Sequence, residues 1–458
     1  MAAERPRLPP SIRQKREIKL LTETAKVSRR LPVKRFFLLG VAIFALILAG
    51  LGALRGELLL LAVPLVLYLA AGLLWAPQRP DLRIKRTLPD GRFFPGELVD
   101  VRLEVVNEGQ HLAQVRIEDP VAPVLEVQSG ETSLLTSLPP DGKVELRYTV
   151  AARRGAYLLP PIRVTASDPL GLFRWEREVA VRSRLIVYPE VPRVRRINIR
   201  PHGTLAYAGP IPARRGGPGI EFYGVRDYHP GDPLRWVNWR ASARHDQVLY
   251  TNEFEQERVA EVGLILDTRR RSDIQVDGDS LLEHAVQATA GLARAFLHDG
   301  NRVGLLLYGR VLDWTFPGYG KVQQERILQA LARAEPGESM VFDRLDNIPV
   351  RFFPPRSQLI LISPLFPDDV AMLVRLRARG YAVLIISPDP ISFEGRILPP
   401  GEAAELGQRL AHLEREMLLR RLHQAGIQVL NWPVDRPLDQ ILRAALGRAP
   451  AWYRAVGI

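Results

Sequence analysis

Two apolar runs, residues 36–54 and 58–76, stand back to back near the start of the chain, separated only by Arg55-Gly56-Glu57. No other feature restricts the fold so tightly. Each run is close to the ~20 residues that a helix needs to cross ~30 Å of hydrocarbon. In lipid every backbone N–H and C=O must be paired within the segment, so each run is expected to be helical, with the polar residues as a tight turn. Pro64 is expected to kink the second helix. The competing reading is a pair of buried core helices in a soluble protein. The flanks set an orientation. Arg5, Arg7, Arg13, Lys15, Arg16, Lys19, Lys26, Arg29, Arg30, Lys34 and Arg35 precede the first run, and Arg79, Arg83, Lys85 and Arg86 follow the second. Positive charge on both sides predicts an inner-membrane hairpin with both termini in the cytoplasm. The basic arm, residues 1–35, is expected to lie on anionic headgroups. A secretory signal peptide does not fit, because the charged region is too long and a second span follows.

With 458 residues the chain exceeds one ordinary core, and two or three domains are expected. Cysteine is absent, which excludes disulfides, thiolate catalysis and zinc held by cysteine. The formal charge of +13 would suit nucleic acid or an anionic membrane. Arginines are scattered rather than clustered and no nucleic-acid motif is present, so a nucleic-acid partner is not expected.

From residue 81 to 190 the period changes to two. Val99, Val101, Leu103 and Val105 alternate with polar residues, as do Val144, Leu146, Tyr148 and Val150, and Ile162, Val164 and Ala166. Alternation turns one face of each strand to a core and the other to water. Turn signals at Pro95-Gly96, Asn107-Glu108-Gly109, Pro140-Asp141-Gly142 and Asp168-Pro169-Leu170-Gly171 divide the strands. An all-β sandwich is expected. Asp168 reads as a turn residue capping its own backbone.

Residues 191–258 form a linker and a dense polar-aromatic segment. Within it stand Glu221-Phe222, Arg226-x-Tyr228, Gly231-Asp232, Arg235, Trp239 and Ala241-Ser242-Ala243-Arg244. Arginines facing carboxylates, with aromatics between them, suggest a structured loop held by ion pairs and stacking. Asp232 with Arg226 or Arg235 is expected to be a structural pair, and Trp236 and Trp239 are expected to pack. Residues 215–219, Arg-Gly-Gly-Pro-Gly, lack the Lys-Ser/Thr of a phosphate loop and read as a flexible linker. These spacings resemble the signature of a bacterial and archaeal family, the domain of unknown function fifty-eight. The resemblance extends over the chain after about residue 35. Its upstream part includes Arg154-Gly155-x-Tyr157 and residues 168–173.

After the signature, strands and helices alternate. Strands are expected at 262–267, 303–308, 311–316, 359–363, 383–387 and 429–432. Helices are expected after the Asp279-Ser280 cap and at 322–334, 369–379, 403–425 and 438–446. Such alternation predicts a doubly wound, mainly parallel α/β sheet over residues 259–458, with ligand chemistry at the carboxyl ends of its strands. Asp267 stands at one of these ends. The order resembles the von Willebrand factor A fold, whose members bind a divalent cation through Asp-x-Ser-x-Ser. Here the loop is Asp267-Thr268-Arg269-Arg270-Arg271, and Ser363 stands where a later aspartate would be expected. One carboxylate beside guanidinium groups is a poor Mg²⁺ site, and no metal or other cofactor is expected. Either Arg269 or Arg271 takes the cation's electrostatic place, pairing with Asp267 or with a partner's carboxylate, or the arginines form a solvated loop. Asp267, Thr268, Arg269, Arg271 and Ser363 are the expected partner-binding set.

Two functions compete. By family resemblance the chain is a non-enzymatic, membrane-anchored interaction or adaptor protein working with a MoxR-type AAA+ ATPase and other membrane proteins. In that role the signature would tie β domain, linker and sheet together. The alternative is a cell-envelope hydrolase using Glu221, Asp232 and His245. No Gly-x-Ser-x-Gly elbow, His-Glu-x-x-His helix or Walker loop supports it, and no enzyme is expected.

Overall fold

A computed structural model describes residues 33–75, 80–89, 91–195, 211–244, 248–258, 260–339, 342–354 and 357–446. They belong to two compact units, Met1–Val187 and Tyr188–Ile458.

The first unit opens with helices α1 (Val33–Gly52) and α2 (Gly56–Leu74). Their spans Arg35–Gly52 and Gly56–Leu74 have mean hydropathies of 2.2 and 2.3, long and apolar enough to cross a membrane. Only 11% of each span is buried. A core helix of a soluble protein would bury its apolar side chains, whereas here Phe37, Leu48, Leu60 and Leu67 are exposed. The turn closes where Leu54 takes a positive φ of 53° and Arg55 N–H donates to the Gly50 carbonyl at 3.1 Å. A Cβ on Gly50 would lie 2.8 Å from Leu59 Cδ2, so the missing side chain lets the helices approach. Helix α2 includes Pro64.

Two four-stranded antiparallel sheets follow. One runs Leu82–Thr87, Leu98–Asn107, Lys143–Ala151, Glu126–Gly130 in spatial order. The other runs Ser133–Leu138, Leu112–Glu118, Ile162–Ser167, Arg174–Val179. The alternating residues of the sequence pattern meet between them. Leu103, Val105 and Leu146 from one sheet join Val115, Ile117, Ile162, Val164 and Ala166 from the other in one core. Each buried valine, leucine or isoleucine among them stabilises the fold by about 1.5–3 kcal/mol. Asp168 caps its own turn: Leu170 N–H and Phe173 N–H donate to its carboxylate at 3.0 and 2.6 Å. This turn meets the helical hairpin. Tyr68 Oη–H donates to the Leu170 carbonyl at 2.9 Å, Phe173 stacks tilted on Phe36, and Gly72 leaves room for Leu172.

The second unit begins with a long antiparallel pair, Ile211–Asp227 with Tyr250–Arg258. Residues 215–219, expected as a linker, lie inside this first strand. The register of the pair shifts between Pro212 and Gly216 and again between Gly217 and Phe222, so the glycines stand beside irregularities of the ladder. A six-stranded sheet follows, formed by β1 (Glu261–Thr268), β2 (Arg302–Gly309), β3 (Leu312–Gly318), β4 (Gln358–Ile362), β5 (Ala382–Pro388) and β6 (Gln428–Trp432). Its order is β3-β2-β1-β4-β5-β6, all parallel except β3. Helices α3 (Leu281–His298), α4 (Gly320–Ala332), α5 (Val370–Ala378), α6 (Glu402–Gln424) and α7 (Leu438–Leu446) connect or follow the strands. Ile265, Leu361, Ile385 and Val429 lie on one face with Leu373 and Leu376 of α5 and Leu418 and Leu422 of α6. Helix α3 touches β1 and β2 without entering that cluster, so it covers the opposite face. Strands β2 and β3 lie on one side of β1, and β4 on the other. The chain direction therefore switches between β1 and β4, which is where a ligand crevice opens in such sheets.

Candidate functional site

At the switch point β1 ends in Asp267 and β4 ends beside Ser363. Both side chains are buried, and Ser363 Oγ donates to Asp267 Oδ2 at 2.7 Å. The crevice between them is filled by Arg269, which is 1% exposed. All five guanidinium N–H donors are used. Nε donates to Asp267 Oδ1 at 2.8 Å and Nη2 to Asp267 Oδ2 at 2.7 Å. Nη1 and Nη2 donate to the two Asp369 oxygens, each at 2.9 Å. The remaining Nη1 hydrogen reaches the Asp343 carbonyl at 3.0 Å. Asp267 also accepts from Ser272 Oγ at 2.7 Å and from Arg269 N–H at 3.1 Å. Phe366 N–H donates to Asp369 Oδ2 at 3.1 Å. Planar, bidentate geometry on both sides makes this a clamp that lysine would not reproduce.

Burial alone would pull the Arg269 guanidinium down, but the hydrogen bonds and charges of Asp267 and Asp369 hold it above the ordinary arginine value. Burial pushes the Asp369 carboxyl up, and Arg269 offsets only part of that. Two carboxylates on one cation leave the buried trio a charge short. Arg271 supplies it at the rim. Its Nη2 lies 3.3 Å from Asp369 Oδ1, its Nη1 lies 3.0 Å from Asp368 Oδ2, and its guanidinium sits 4.4 Å over the Phe366 ring.

The expected partner-binding set is therefore divided by depth. Asp267, Thr268, Arg269 and Ser363 are brought together and buried, so they do not meet a partner's surface as expected. Thr268 packs against the β2 end, where a Cβ on Gly309 would lie 2.3 Å from its Oγ1. Only Arg271, 27% exposed, opens to solvent, together with Asp368. Of the two arginines considered, Arg269 is the one that pairs internally with Asp267. Sequence reasoning missed Ser272 and Asp369. The signal for Asp369 is Pro367-Asp368-Asp369 ahead of an apolar helical pattern, a helix start whose acidic first turn here doubles as a ligand.

A second arginine was also missed. Arg415, on α6 and buried, reaches over the ends of β4, β5 and β6. It donates to the Pro364 carbonyl at 2.9 Å, Ser387 Oγ at 2.9 Å and Asn431 Oδ1 at 2.8 Å, and lies 3.2 Å from Asp389. Burial pulls its guanidinium down to about 10, against the charge of Asp389. The Ser363–Leu365 loop is thus held between two buried arginines. Leu365 takes a positive φ of 63° there.

The signature segment closes on itself. Arg226 holds Asp232 bidentately at 2.8 and 2.7 Å, and His229 N–H adds a bond at 2.9 Å. The Arg226 hydrogen bonds, with that backbone N–H, keep the Asp232 carboxyl below the usual range. The expected structural ion pair is therefore the one with Arg226. Gly231 takes φ 111°, which makes the turn possible, and Tyr228 Oη–H reaches the Asp232 carbonyl at 3.4 Å. Asn238 caps the short helix Trp239–Ser242, and Ser242 Oγ accepts from Tyr250 N–H at 2.9 Å. Arg235 lies over the ring of Trp236 at 5.8 Å, and Arg244 is exposed. Trp239 does not pack as expected. It is 65% exposed, as is Phe222 at 62%. The side chains of Glu221 and His245 lie outside the described residues. Of the hydrolase candidates Asp232 alone is described, and its oxygens are engaged by Arg226.

Residues 224–392 match a family model described as "Protein of unknown function DUF58". A relative from Bacillus subtilis (strain 168), "Uncharacterized protein YeaD", is 30% identical over 158 residues. That match covers 34% of this chain and 37% of the relative, so the chain spans little more than a third of its length. Among solved structures, a FixG-related protein from Vibrio parahaemolyticus aligns with 98% of its length on 24% of this chain, at 15% identity and a TM-score of 0.18. A CARDB domain from Pyrococcus furiosus aligns with 91% of its length on 23% of the chain, at 16% identity and a TM-score of 0.15.

Proposed function

We propose, for a chain whose residues 224–392 belong to the DUF58 family, a membrane-anchored adaptor whose second unit is a recognition head with a von Willebrand factor A-like fold. The observation that carries this is Arg269. The crevice at the carboxyl ends of β1 and β4, where sheets of this order take a ligand, holds a permanent internal cation with every donor satisfied. Its chemistry is structural, and what remains for function is surface. The Arg271–Asp368 pair at the rim and the exposed Trp239 and Phe222 of the signature segment offer a charged element and aromatic anchors, the residue types that dominate protein interfaces. The partner in this reading is a MoxR-type AAA+ ATPase on the cytoplasmic side of the inner membrane. Helices α1 and α2 hold the chain there with both termini inside, as the basic flanks direct.

Affinity purification of the full chain in detergent tests the reading. A AAA+ ATPase is expected to co-purify with the wild type, to be reduced at least tenfold by Arg271→Glu or Trp239→Ala, and to be retained with Tyr157→Phe, a change in the first unit. Equal recovery from all variants overturns the assigned surface. Turnover of a glycan or peptide that vanishes with Glu221→Gln would transfer the function to the hydrolase reading.

A further inference from the structure

Helix α6 carries two apolar faces, and only one is used inside the unit. Leu418 and Leu422 are buried in the core with Arg415. On the outside Leu406, Leu410, Leu413 and Met417 are 69%, 58%, 57% and 55% exposed. Their spacing of four, three and four residues is the heptad seam of a coiled coil, repeated along one face of a 23-residue helix. Four large apolar side chains in one stripe exceed the scattered exposed leucines of an ordinary soluble surface.

We infer that this seam pairs with the same seam of a second copy of the chain, with the two α6 helices antiparallel. Charge selects both the occupant and the direction. The first turn of α6 carries Glu402 and Glu405, and its last turn Arg421 and His423. Antiparallel pairing sets each acidic end against the other copy's basic end, and also opposes the two helix dipoles. Register follows from the seam: Leu406 meets Met417 of the other copy, and Leu410 meets Leu413. Along the flank Arg409 then faces Glu416 of the other copy, twice by symmetry. Arg409 and Glu416 make exposed intrahelical contacts with Glu405 at 3.8 Å and Arg420 at 2.7 Å, which are weak and easily exchanged. Parallel pairing fails at the next seam position, where Arg420 would meet Arg420. In the antiparallel register Arg420 falls opposite Ala403, with room to reach the acidic end. Confinement of both copies to one bilayer raises their effective concentration, so a short seam suffices.

The chain has no cysteine, so single cysteines report the pairing directly. Differently tagged full-length copies carrying Leu406→Cys and Met417→Cys are co-expressed and oxidised in native membranes. Antiparallel pairing brings these positions into one layer, whereas two copies of Leu406→Cys stand about 16 Å apart along the helix. A mixed disulfide dimer at least tenfold more abundant than either homotypic one is expected. Predominant homotypic cross-linking, no cross-linking, or photo-cross-linking from position 406 to lipid or another protein alone would overturn the pairing. Leu410→Glu combined with Leu413→Glu changes only exposed side chains. It is expected to shift the detergent-solubilised chain from dimer to monomer by light scattering at an unchanged melting temperature. A dimer that persists, or a wild type that is monomeric, would also overturn the proposal.

Discussion

Arg269 is the residue on which the second unit turns. Two carboxylates, two serine hydroxyls and a carbonyl converge at the end of the sheet, and a guanidinium two residues from Asp267 occupies the centre. Removing one member of a buried ion pair leaves an uncompensated charge and costs about 3–5 kcal/mol. Arg269→Met is therefore expected to lower the unfolding free energy of the detergent-solubilised chain, measured by urea titration near neutral pH, by that amount. The cost should depend on pH. Without the guanidinium, the Asp369 carboxyl keeps the upward push of burial and of the Asp267 charge and loses the bonds of Arg269 that offset it. A raised folded value means that stability is present below the unfolded value and lost as pH rises through the folded one. The deficit should shrink as pH falls from about 8 to about 5. An equal deficit at both ends of that range would contradict the account of the site. This network was half legible in the sequence. Asp267 announces itself at the end of an apolar strand, and Arg269 beside it. Asp369 does not, because a carboxylate at a helix start has a sufficient local role and nothing local shows that it also bonds a residue one hundred positions earlier.

At the scale of elements, periodicity carried most of the fold. The strands of the six-stranded sheet and helices such as Leu438–Leu446 fall where apolar runs and caps place them. The Asp168 turn is read from Asp168-Pro169 and closed by Leu170 and Phe173 N–H donating to the Asp168 carboxylate. The misreadings occurred where long-range pairing overrides local preference. Residues 215–219 look like a linker because glycine and proline favour turns, yet a partner strand 37 to 39 positions away, at Gly216–Glu255 and Gly217–Phe254, holds them extended. Trp239 looks like a packing residue because it is large and apolar, and stands exposed. Close packing also gives a sharp expectation at Gly263 in the middle of β1. A Cβ there would lie 2.3 Å from Phe353 Cε1. Overpacking of this kind costs about 1–3 kcal/mol. Gly263→Ala should lose that stability in urea, and Gly263→Ala with Phe353→Leu should recover part of it. No loss in the single variant would show that the Phe353 ring is free to move.

For the whole molecule the proposed compartment rests on the two apolar helices. Spans with mean hydropathies of 2.2 and 2.3 lie between two basic flanks, and the Leu54 turn is 92% exposed. Single cysteines at Leu54 and at Gly401, placed in the cysteine-free chain, should respond oppositely to an impermeant maleimide on spheroplasts. Position 54 should label from outside and position 401 only after lysis. Labelling of position 401 in intact spheroplasts would place the head outside and end the ATPase proposal. The head itself, in this account, needs no added cation, since Arg269 supplies one covalently. Calorimetric titration of Mg²⁺ into the full-length chain tests this most directly. The account predicts no saturable heat through the millimolar range for the wild type. Saturable one-to-one binding that disappears with Asp267→Asn would contradict it.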